Sequence, residues 1–130
     1  MPPVITPLYA AALTALFITL SLRVIALRRS GRVLLGDAGN PALLARIRAQ
    51  GNCAEYVPLG IVLLLLAELA GTAPALLLHL SGLLLLAGRL CHAWALSGPG
   101  RLGARTIGML MTFTALALSA ALALPWAAIF

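Results

Sequence analysis

Residues 8–22 form a continuous stretch without a single charged side chain, and three further long apolar stretches follow it. Runs of this length constrain a chain more than any short motif does. A backbone surrounded by hydrocarbon must satisfy its own hydrogen bonds, and a helix does so within one segment. A membrane-crossing helix needs about 20 apolar residues, so four would use about 80. The chain has 130 residues, 62% of them hydrophobic, which leaves little beyond four spans. The expected spans are residues 4–27, 41–70, 74–96 and 105–129. Only 9% of the residues are charged, against about 25% in soluble domains. An ordinary soluble domain, a disordered tail and a nucleic-acid-binding module are thereby excluded. The expected fold is all-α: one integral-membrane four-helix bundle over residues 1–130. A cleaved signal peptide would carry positive charge before its apolar run. Here Arg23, Arg28, Arg29 and Arg32 follow the run instead, so the segment is read as a span.

The net charge of +6 comes from arginine alone, since lysine is absent. Arg28, Arg29 and Arg32 lie between spans one and two, and Arg46 and Arg48 lie in the polar opening of span two. Arg89, Arg101 and Arg105 lie around the connection between spans three and four. The connection Gly71-Thr72-Ala73-Pro74 carries no charge. In a four-span chain the first and third connections share one side, and the positive-inside rule makes that side cytoplasmic. Both termini are then expected on the other side. Arginine without lysine, with abundant alanine and leucine, suggests a GC-rich bacterial gene and hence an inner membrane.

The second span opens with Arg46-Ile47-Arg48-Ala49-Gln50-Gly51-Asn52-Cys53-Ala54-Glu55-Tyr56. At 100° per residue, Arg48, Asn52 and Glu55 fall at about 0°, 40° and −20°. They form one narrow stripe, flanked by Tyr56. Arg46 and Gln50 point away from it. From Arg48 to Glu55 the helix rises about 10 Å, the length of an extended tripeptide. A cation, an amide and a carboxylate along that length suit a ligand bearing both signs of charge. Arginine takes a carboxylate in bidentate fashion, the glutamate takes an ammonium, and the amide both donates and accepts. The same stripe also suits a structural network between helices, because ionisable groups at membrane depth face a bundle interior or a cavity.

The run Arg-Ala-Gln-Gly-Asn-Cys-Ala-Glu-Tyr-Val-Pro-Leu at residues 48–59 resembles the signature of the MAPEG superfamily. These are membrane-associated proteins of eicosanoid and glutathione metabolism. The family pattern is approximately Arg-x-x-x-Asn-x-x-Glu at the start of the second span. The cysteinyl-leukotriene synthase and microsomal glutathione transferase branch is the most similar. Its end of span one is similar to Ser21-Leu22-Arg23-Val24-Ile25 with Arg28, Arg29, Arg32 and Val33. Gly88-Arg89-Leu90 resembles its third span.

The resemblance implies a homotrimer of four-helix protomers that binds glutathione between subunits, near the cytoplasmic side. It implies Arg48, Asn52, Glu55 and Tyr56 as glutathione-binding residues, with Gln50, Arg28 and Arg29 as further candidates. An arginine at the start of span four stabilises the glutathione thiolate in the synthase branch. Arg101 is the match across a short gap, with Arg105 the alternative. A fixed cation lowers a thiol pKa from about 8.5, and a hydrophobic electrophile entering from lipid would meet the thiolate. The implied activity is a glutathione transferase or peroxidase, with glutathione as co-substrate. The partners expected are glutathione, a hydrophobic small molecule or lipid, membrane lipids and further copies of the chain, without nucleic acid.

The chain also departs from the pattern. Leu44-Ala45-Arg46 stands where the family has Glu before its first arginine. His92 and Leu96 take the places of two tyrosines that help hold glutathione. His92 can still donate a hydrogen bond, and Leu96 cannot. Relatives such as the five-lipoxygenase-activating protein bind lipid without catalysis, so a non-catalytic lipid-binding or scaffold protein on the same fold is the alternative function. His79, His92 and Cys91 form no convincing metal-ligand set, and no metal is expected. Cys53 and Cys91 are read as packing residues. Glu68 is placed near the opposite interface, in a solvated or helix-pairing role.

Overall fold

A computed structural model of the chain describes residues 2–97 and 102–124. Four helices make up the fold: α1 (Ile5–Ser30), α2 (Pro41–Ala70), α3 (Ala75–Ala95) and α4 (Leu102–Ala123). All four are long and apolar enough to cross a membrane. The protein is an all-α, four-helix, multi-pass membrane bundle, as the apolar runs require.

Local chemistry sets the helix limits. Asn40 caps α2, its Oδ1 accepting from Ala42 N at 2.9 Å and Leu43 N at 3.2 Å. Pro41 follows at the first helical position, where its missing N–H costs nothing. Gly71 ends α2 in left-handed backbone, φ 70°. α1 runs past its apolar part through Arg28 and Arg29, two cations that favour the negative end of the helix dipole. α4 begins at Leu102, upstream of Arg105. An arginine on the helix end thus does not mark the helix boundary, because the backbone ladder is indifferent to a charge that can reach water.

The arrangement is inside-out relative to a soluble bundle. Leu8, Leu22, Leu66, Leu76, Leu83 and Leu110 are exposed, while Ser81, Arg89, Thr112 and Ser119 are buried. Lipid tails are as apolar as leucine, so helices associate here through close backbone approach and hydrogen bonds. α3 and α4 share the closest seam. A Cβ built on Gly88 would lie 2.9 Å from Gly108 O, and one on Gly108 would lie 2.8 Å from Gly88 O. Along the same seam Ser81 Oγ donates to Ala115 O at 3.0 Å and sits 2.6 Å from Ser119 Oγ. α1 packs on α2 and α3, and not on α4 among the described residues. Its ring of Tyr9 fills the space that Gly82 leaves on α3, and the Tyr9 hydroxyl donates to His79 O at 3.1 Å.

Glu68 ties the end of α2 to the start of α1. Its carboxylate accepts from the backbone N–H of Val4, Ile5 and Thr6 at 2.6, 2.7 and 2.7 Å. These are donors that α1 itself leaves unpaired, and the carboxylate also meets the positive end of the helix dipole. The role is helix pairing. Glu68→Ala is expected to lower stability by about 2 kcal/mol, read as the unfolding midpoint in detergent. Glu68→Gln, which keeps an acceptor and loses the charge, is expected to lose about half as much.

Candidate functional site

α2 is helical from Pro41 onward, so Arg48, Asn52 and Glu55 do share one face. Arg48 and Glu55 are exposed on the protomer surface and Asn52 is partly buried. Asn52 Nδ2 donates to Arg48 O at 3.0 Å, which leaves its Oδ1 available to a ligand. Gln50 is partly exposed. Arg46 points to the other side of α2, and its Nη1 donates to Arg23 O at 3.0 Å on α1. Arg23 in turn donates from Nη2 to Ser97 Oγ at 3.2 Å, beyond the end of α3.

Tyr56 is where the stripe meets the bundle interior. Its ring makes an edge contact with Phe113 of α4, the centroids 5.7 Å apart. The guanidinium of Arg89 lies 5.2 Å from the centre of the same ring. Arg89 is only 2% exposed. Its Nε and Nη2 both donate to Thr112 Oγ1, at 3.0 and 2.6 Å. Weaker contacts run from Nη2 to Gly108 O at 3.5 Å and from Nη1 to Asn52 O at 3.4 Å. No carboxylate pairs with it among the described residues. Neutral oxygens, the sulfur of Met109 and an aromatic face solvate the cation instead. Arg89 therefore joins α3, α4 and the Asn52–Tyr56 turn of α2 in one network.

The sequence reading grouped Arg89 with the arginines that orient the chain. Its burial removes it from that set. The signal was present in the sequence, since an ionisable residue inside an apolar span is expected to be functional or to support a site.

The remaining candidates scatter. His92 is buried in the α3–α4 seam, its backbone against Gly108, and not on the exposed stripe. Arg28 and Arg29 line a groove at the end of α1 that includes no residue of the stripe. Arg105 is exposed near the start of α4. Arg101 lies outside the described residues. Cys53 and Cys91 are free thiols. On the other side of α2 an apolar cavity of about 240 Å³ opens between α1 and α2, lined by Leu13, Phe17, Cys53, Val57 and Pro58 among others and by no residue of the stripe.

The sequence profile of the MAPEG family matches residues 6–125. Inner membrane protein YecN of Escherichia coli strain K12 is 42% identical over 88 residues. The alignment covers 68% of this chain and 66% of YecN, just under two thirds of its length. The protein of the same name from Escherichia coli O6:H1 matches to the same extent.

Proposed function

This chain belongs to the MAPEG family, and from that membership we propose that it is a glutathione-binding protein of a bacterial inner membrane that acts as a glutathione transferase or peroxidase. The Arg48, Asn52 and Glu55 stripe, with Arg48 and Glu55 exposed, carries the reading. A cation and a carboxylate on the outer face of a membrane protomer need a protein or ligand cover. A second copy of the chain supplies that cover in the homotrimer that family membership suggests, and glutathione lies in the cleft between copies. Arg48 takes a glutathione carboxylate, Glu55 the ammonium and Asn52 a peptide group, while Tyr56 borders the tripeptide. The arginine clusters support a reading with this end on the cytoplasmic side and both termini on the other.

Arg105 or Arg101 would hold the glutathione sulfur as thiolate. In conjugation the sulfur bonds to an electrophilic carbon as the leaving group departs or the double bond accepts the electron pair. In peroxide reduction it attacks the distal oxygen, the O–O bond breaks to release an alcohol, and a second glutathione completes a disulfide and water. The apolar recess between α1 and α2 also favours a second reading, a member that holds lipid without turnover. Binding without conjugation of any hydrophobic electrophile would select that reading.

The direct test is calorimetric titration of the purified chain with glutathione. Arg48→Ala is expected to weaken binding at least tenfold, as loss of a charge-assisted bidentate pair should. Absence of binding by the unaltered protein at millimolar glutathione would end the proposal.

A further inference from the structure

The connection between α1 and α2 carries two adjacent leucines that no helix covers. Leu34 and Leu35 are 92% and 87% exposed. Carried on along the line of α1, residue 34 would stand about 10 Å beyond Leu27, and both side chains would face water. The chain does not take that line. Val33 N donates to Arg28 O at 2.9 Å and Arg32 N to Arg29 O at 3.2 Å. This wrap ends a helix by turning one residue, usually glycine, into left-handed backbone. Here that residue is Arg32, at φ 53°, although Gly31 precedes it at φ −86°. Arg28 Nη1 then donates to Leu34 O at 3.0 Å. Two bonds thus tie the backbone of residues 33–34 to Arg28 and keep it at the end of the helix.

The depth of the pair follows from that tie. The apolar part of α1 ends at Leu27. Beyond the hydrocarbon a bilayer has a headgroup layer about 5–7 Å deep on each side. A segment bonded to Arg28, the first residue past Leu27, lies in that layer, within reach of the hydrocarbon edge. The aliphatic surface is also continuous. Ile25, exposed on α1, borders the same groove as Val33 and Leu34. The apolar face of the helix therefore runs into the loop without a break. Past the pair, Gly36 turns the chain at φ 67°. Asp37 accepts from Gly39 N at 3.2 Å, inside its own turn.

We propose that Leu34 and Leu35 dip into the adjoining lipid leaflet and anchor the loop at the boundary between headgroups and acyl chains. Two observations carry this: the bonds that hold the pair at the level of Arg28, and its continuity with the exposed apolar face of α1. Half-burial of each leucine favours the docked loop by about tenfold. The left-handed backbone at Arg32 then serves to turn the chain back to the leaflet. The anchor would hold the turn that bears Arg28 and Arg29 at a fixed depth. It takes nothing from the glutathione reading, to which both arginines still belong.

The test uses the full chain in phosphatidylcholine vesicles, whose lipid has no net charge for the arginines to attract. A carbene released from a diazirine on an acyl carbon near the headgroup marks residues that lie in the leaflet. Hydroxyl radicals generated in the water mark residues outside it. Cleavage after Arg32 and Arg46 isolates the peptide of residues 33–46, in which mass spectrometry locates both marks. In the unaltered protein the carbene should add to Leu34 and Leu35, and their oxidation should be about tenfold slower than in the denatured chain. Leu34→Asn combined with Leu35→Asn should remove the carbene mark from this peptide. Carbene labelling of residues 1–23 should stay unchanged, which shows that α1 is still in place. Rapid oxidation of the leucines without carbene addition puts the pair in water and overturns the proposal. Protection from both reagents also overturns it, in favour of cover by a second copy of the chain. A carbene mark that survives the double substitution overturns it too, because the arginines would then make the lipid contact.

Discussion

Arg89→Ala is expected to lower stability by about 3 kcal/mol and to weaken glutathione binding at least tenfold. The substitution empties a side-chain volume in a bundle whose helices touch closely. It also strips Thr112 Oγ1 of both guanidinium donors and removes the cation from beside Tyr56. Arg89→Met separates the two effects. Methionine fills much of the same space and carries no charge to desolvate, and replacing a buried ion by an apolar residue of similar volume is often neutral or stabilising. The methionine variant should therefore unfold within about 1 kcal/mol of the unaltered protein, yet bind glutathione as poorly as the alanine variant. Chemical unfolding in detergent, paired with calorimetric titration, reads both quantities. Unchanged binding by the methionine variant would show that the guanidinium only fills space and does not position Asn52 and Tyr56.

Gly108→Leu is expected to prevent assembly of the α3–α4 pair. Even the first added carbon would lie 2.8 Å from Gly88 O and 2.8 Å from His92 N. Both are backbone atoms and cannot swing aside, so the helices must separate. Gly108→Ala alone should cost about 1–3 kcal/mol. The leucine variant should lose the Ser81–Ser119 and Arg89–Thr112 bonds together, because all of them span the one seam. Gly51→Ala is the control. A Cβ there meets nothing within 4 Å, and alanine is favoured over glycine inside a helix by about 1 kcal/mol, so that variant should be unchanged or more stable. Size-exclusion profiles and thermal midpoints in detergent distinguish the outcomes. A folded, unshifted Gly108→Leu protein would mean that the seam is not the contact that holds the bundle.

The stripe on α2 was legible because helical periodicity is written along one segment. Arg48, Asn52 and Glu55 needed only the 3.6-residue repeat to be placed together. Asn40, Pro41 and Gly71 set the limits of α2 by equally local chemistry. The surroundings of Tyr56 were not legible, since Phe113 and Arg89 reach it from other helices. His92 shows the same limit, because the distance between α3 and α4 decides how deeply it sits. The depth of Glu68 left it open to a solvated or a helix-pairing role, and only the structure pairs it with the backbone of residues 4–6.

The sequence by itself determined that this chain is a four-helix membrane bundle, and it placed a zwitterion-matching face at the start of α2. Long apolar runs dictate the first through backbone hydrogen bonding, and helical spacing dictates the second. Only the tertiary structure decided which arginines face water and which one is buried. That choice turns on Gly88 and Gly108, whose missing side chains let two helices close around Arg89. It also decided that Arg32, and not Gly31, takes the left-handed position at the end of α1. Which residue turns is set by where the helix's last hydrogen bonds close, and residue preference alone would have chosen the glycine.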